Sequence, residues 1–119
     1  MNEKTVHDGL KAEIERKHFV RASLVAEQMG LPEEELRNLH IKALGQMSAS
    51  YRNAHGTKKL ALQYGYSRKE VKQILEQFAN EMKNEGNCKS LEPCFDYSTG
   101  KYLSFEEWMD HFFKKWDRL

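Results

Sequence analysis

Leu60-Ala61-Leu62-Gln63-Tyr64-Gly65-Tyr66-Ser67-Arg68-Lys69-Glu70-Val71 is the stretch whose reading decides the fold. Gly65 tolerates the left-handed backbone that closes a helix. Ser67 followed three residues later by Glu70 is a capping box, which satisfies two orphan amides at a helix start. Behind it, Val71, Ile74, Leu75, Phe78 and Met82 recur at helical spacing. The stretch therefore predicts a short helix over 57–64, a glycine turn, and a second helix that runs to a loop at Asn84-Glu85-Gly86-Asn87.

On the N-terminal side, Val6, Leu10 and Ile14 mark a first helix, with Thr5 as its cap and Asp8 as the matching acid. Phe19, Val20, Leu24, Val25 and Met29 form a second apolar stripe that ends at Gly30. Pro32 suits a first helical position, and Glu33, Glu34 and Glu35 lie where the helix dipole favours carboxylates. From there Leu36, Leu39, Ala43, Met47, Tyr51 and Ala54 predict one long helix ending near Gly56. On the C-terminal side, Cys94 to Tyr97 and Lys101 to Leu103 flank Ser98-Thr99-Gly100 and predict a small β-hairpin. Ser104 with Glu107 is another capping box, and Trp108, Phe112, Phe113 and Trp116 give the last helix a heavy aromatic face. The fold class is thus mainly α: a single bundle of about six helices with a hairpin before the last.

The 119 residues are 39% hydrophobic and 31% charged, with 19 Lys+Arg against 18 Asp+Glu and a net charge of +1. That length suits one domain over 1–119, built from helices over 1–56, the helix–turn–helix unit over 57–84, and the hairpin with its aromatic helix over 88–119. Such a chain buries enough surface to need neither a metal nor a disulfide. Its aromatic content excludes wholesale disorder. No run reaches the roughly 18 apolar residues of a membrane span, and residues 1–10 lack an apolar signal core. A cytoplasmic protein with reduced Cys88 and Cys94 is the expectation.

A shift of 35 positions aligns Ala26 with Ala61, Gln28 with Gln63, Gly30 with Gly65 and Glu35 with Glu70. Shared turn chemistry accounts for this more simply than duplication. Both units resemble the helix-turn-helix motif of DNA-binding regulators. In that family a small residue lies four before the turn glycine, as Ala26 and Ala61 do here, and apolar residues such as Leu36 and Leu39, or Val71 and Ile74, follow. The first unit opens its second helix with three glutamates that would repel phosphate, so it reads as structural. In the second unit the resemblance implies that Arg68, Lys69, Lys72 and Gln73 reach base edges while Lys58 and Lys59 meet phosphates.

Charge is distributed accordingly. Residues 1–36 hold five basic and eight acidic side chains, residues 37–75 eight basic and only Glu70 acidic, and residues 76–119 six basic and nine acidic. The near-neutral total is a cancellation around a middle third of +7. An excess of that kind is the footprint of an anion-binding face, and duplex DNA is the first expected partner. It equally suits a helical adaptor module whose basic face docks an acidic protein. The aromatic stripe of the last helix reads as core, or as a homodimer surface that would pair two recognition helices.

Catalytic and metal chemistry find little footing. His7, His18, His40, His55 and His111 are scattered, with no phosphate loop or nucleophile elbow around them. The stretch from His55 through Ala61, Gly65, Ser67 and Glu70 resembles carboxymuconolactone decarboxylase-like peroxidases. Their redox members need two cysteines just before the histidine, where this chain has Ser48, Ala49, Ser50 and Tyr51. Cys88 and Cys94, with His111 or Asp96, lie too far apart for the usual paired zinc cysteines, and Glu107 with His111 needs no more than a hydrogen bond. No catalytic residue, metal or cofactor is expected.

Overall fold

The computed structural model describes residues 3–119, with side chains from Asp8 onward. Among these, six α-helices and one two-stranded hairpin make up the fold, and the hairpin precedes the last helix as expected. The chain divides into two compact units, one ending at Ala43 and the other beginning at Leu44.

The first unit holds α1 (Glu3–Glu15), α2 (Phe19–Met29) and most of α3 (Glu33–Gly45). Thr5 lies inside α1 rather than ahead of it, and its side chain and that of Val6 fall outside the described ones. The core is Leu10, Ala22, Ala26 and Leu39, with Val25, Met29, Leu31 and Leu36 packed against it. This corrects the expected stripe on α2. Val20 and Leu24 are exposed, while Ala22, Ser23 and Ala26 face inward. Small side chains let helical backbones approach closely, and that outweighs the larger apolar letters nearby. Gly30, at φ 69°, ends α2 with its N–H on the Ala26 and Glu27 carbonyls, and Leu31 N–H returns to Ala26 O at 3.2 Å.

The predicted long helix from Pro32 to Gly56 does not exist as one element. After α3 the chain makes a π-helical turn (Gln46–Ser50), reaches a left-handed Arg52 at φ 51°, and restarts as α4 (Ala54–Gln63). Two polar side chains explain the interruption. Buried Ser48 donates to Leu44 O at 2.7 Å, bonding back on the preceding turn in a way that loosens a helix. Asn53 caps α4 by accepting the Gly56 N–H at 2.8 Å. Tyr51 and Ala54 therefore leave the α3 face, and Tyr51 is exposed.

Also in the second unit, α5 (Arg68–Asn84) starts at the Ser67–Glu70 capping box, with both reciprocal bonds formed. It buries Val71, Ile74, Leu75, Phe78 and Ala79. A short 3-10 turn (Lys89–Leu91) leads to β1 (Cys94–Asp96), which pairs antiparallel with β2 (Lys101–Leu103) in the register Cys94–Leu103, Phe95–Tyr102, Asp96–Lys101. α6 (Phe105–Lys114) opens on the Ser104–Glu107 box, and a final 3-10 turn spans Trp116–Arg118. Phe105, Trp108, Phe112, Phe113 and Trp116 are all buried, so the aromatic stripe is core. Trp108 and Phe112 stack at 5.0 Å, and Phe105 meets Phe78 edge-on at 6.4 Å.

Candidate nucleic-acid interface

The α4–α5 unit is two helices joined by a glycine turn. Ala61 is fully buried, Gly65 sits at φ 81°, and Leu60, Val71 and Ile74 are buried around the turn. The six side chains expected to meet DNA divide into two groups. Lys69, Lys72 and Gln73 are exposed on one side of α5, opposite its buried Val71, Ile74 and Leu75, and Lys59 is exposed on α4.

Arg68 is exposed as well, but it and the half-buried Lys58 spend their N–H groups on main-chain carbonyls. Lys58 Nζ donates to the carbonyls of Trp116 (2.6 Å) and Leu119 (3.0 Å) and lies 5.3 Å from the Trp116 ring. Arg68 donates through Nε and Nη2 to Phe113 O, at 3.2 and 3.1 Å, with its guanidinium over the Phe113 ring. The last carbonyls of a helix lack internal partners and carry the negative end of its dipole. Two cations of the middle third thus serve the end of α6 and the turn after it.

Arg52 stands at a contact point that no pattern in the sequence marks. Its guanidinium donates to four main-chain carbonyls: Ala49 (2.8 Å), Leu103 (3.0 Å), Ser90 (3.1 Å) and Glu92 (3.0 Å). Burial lowers its pKa, against the pull of Cys94 and Asp96. No periodicity flags such a residue; the one local hint is Asn53, whose cap requires a chain reversal just before it.

A groove of about 660 Å³ between α5 and α6 is lined by Arg68, Lys72 and Glu76 on one side and Glu106, Asp110 and Lys114 on the other. Asp110 pairs with Lys114 at 2.9 Å, and that bond, helped by His111 and Lys72, holds its carboxyl below the ordinary carboxylate range. The basic face of α5 is therefore bordered by acid along this edge.

No family model, curated protein or solved structure matches this chain. Cys88 and Cys94 are free thiols, and among the described residues no three His, Cys, Asp or Glu side chains group as metal ligands. Within the same residues no helix is long and apolar enough to cross a membrane.

Proposed function

We propose that the chain is a small, non-enzymatic, helix-turn-helix type DNA-binding protein of transcription regulation, with α5 as its recognition helix. The observation that carries this reading is the exposed set Lys69, Lys72 and Gln73, displayed at helical spacing on α5 after a left-handed glycine turn. Lysines there release counterions from phosphates, and a glutamine can pair with an adenine edge in the major groove. Lys59 adds a phosphate contact from α4; Arg68 and Lys58 position α6 instead. Pairing of two copies through α6 would have to use its charged side, because its rings are buried.

The groove between α5 and α6 favours a second reading, a helical protein-interaction module. Glu106 and Asp110 beside Lys72 repel a phosphate backbone but suit a protein partner carrying both signs. Fluorescence polarisation of a labelled random duplex, at low and at physiological salt, separates the two. The DNA reading expects micromolar binding that weakens steeply with salt and is lost in the Lys69→Glu, Lys72→Glu variant. No binding at low salt removes it and leaves the protein partner.

A further inference from the structure

A second concave site lies away from the exposed face of α5. It is a cleft of about 450 Å³ in the second unit, where the start of α4, the hairpin turn, α6 and the segment after α6 converge. Leu103, Trp108 and Phe112 give it an apolar floor, and all three are buried. Pockets of a few hundred Å³ with an apolar floor and a few converging polar groups are the usual form of a small-molecule site.

The polar groups around it share one character. His55, His111, Lys115 and Arg118 line the cleft, and among the described residues their side chains make no hydrogen bond and no ion pair. Arg52, Lys58 and Arg68 behave otherwise, since each spends its N–H groups on main-chain carbonyls. Asp96 is the acidic side chain of the lining, and its Oδ2 is already taken by the Thr99 N–H at 2.9 Å. The Leu119 carbonyl oxygen at the rim is held by Lys58. The first turn of α4 contributes the amides of Ala54 and His55, which have no intrahelical acceptor because of their position. Two cations without a hydrogen-bond partner, two imidazoles and a helix start thus surround an apolar floor; Asp96 opposes them from the lining, and Glu107 and Asp110 interact with His111 from the neighbouring groove.

We propose that this cleft binds a small organic anion, in which a phosphate or carboxylate head meets Lys115, Arg118 and His55 and a short apolar body rests on Trp108 and Phe112. The concave shape and the apolar floor favour a small ligand over a DNA backbone, which carries its charge on a convex, polar surface. The proposal stands apart from the reading of α5 and does not depend on it.

The test is a titration of the ¹⁵N-labelled full chain with phenyl phosphate, followed by amide shifts, with benzyl alcohol as the neutral analogue. Saturable shifts at Ala54, His55, Thr99 and His111 are expected with phenyl phosphate and not with benzyl alcohol. Lys115→Ala with Arg118→Ala should weaken binding by about tenfold or more. His55→Gln, a milder change at an exposed position, should weaken it less. The Lys69→Glu, Lys72→Glu variant should bind phenyl phosphate like the wild type. Absence of saturation overturns the proposal, and so do equal shifts with benzyl alcohol or unchanged affinity in the cleft variants. Displacement of phenyl phosphate by duplex DNA in the α5 variant would also overturn it, by assigning the cleft to a nucleic-acid backbone.

Discussion

Nη1 of Arg52 donates to the carbonyl of Leu103 at 3.0 Å, tying the turn before α4 to the last residue of β2 across 51 positions of sequence. The same guanidinium holds the Ser90 and Glu92 carbonyls, so one side chain fixes the chain on both sides of the hairpin. An isolated two-stranded hairpin is marginal in water, and this clasp is part of what holds it. Arg52→Ala leaves several partly buried carbonyls without a donor and should cost about 2–4 kcal/mol in urea unfolding. Arg52→Lys should recover little, because an ammonium cannot span four acceptors as a planar fork does. Equal stability of the alanine variant and the wild type would refute this role.

Gly45 has no room for a side chain. A Cβ there would lie 2.3 Å from the Phe78 ring, which is itself buried and packed edge-on against Phe105. The ring as a whole must move, so Gly45→Ala should destabilise the second unit by about 1–3 kcal/mol, more than helix propensity returns. Thermal unfolding of the variant checks this, and a Tm at or above that of the wild type would contradict it.

His40 should make the chain sensitive to mild acid. Burial lowers its pKa below the ordinary 6.5, against the raising effect of Glu27, whose Oε1 lies 3.2 Å from Nε2. The unfolded chain then binds the proton more tightly than the folded one. Stability is therefore intact above 6.5 and is lost as pH falls through 6.5 toward the folded-state value. Urea midpoints at about pH 7.5 and about pH 5.5, a window above the range where carboxylates titrate, should fall for the wild type and fall less for His40→Gln. An identical drop in both would show that His40 is not the cause.

Much of the fold was legible because it is local. The capping boxes at Ser67 and Ser104, the turns at Gly30 and Gly65, and the hairpin around Ser98-Thr99-Gly100 each depend on residues a few positions apart. What the sequence hid depends on distant partners. The break at Ser48–Asn53 interrupts an apolar pattern that reads as continuous. The inward face of α2 is set by Ala22 and Ala26 because a neighbouring helix comes close, not because those letters are strongly apolar. The candidate site divided for the same reason. Lys58 and Arg68 look like their neighbours Lys59 and Lys69 until the carbonyls at the end of α6 are placed beside them. The charge split of the middle third comes from the sequence, and of the six side chains singled out on this unit Lys59, Lys69, Lys72 and Gln73 are exposed and make no contact with main-chain carbonyls among the described residues, unlike Lys58 and Arg68.

The most direct test of the account is the salt slope of duplex binding, the dependence of log Kd on log salt concentration. Each phosphate contact contributes about 0.9 to that slope. The account predicts that Lys72→Ala lowers the slope by about one, as does Lys69→Ala, and that Lys58→Ala leaves it unchanged because Lys58 meets carbonyls and not phosphates. A slope that is unaffected by Lys69 and Lys72, or that falls with Lys58, would contradict α5 as the face that meets DNA.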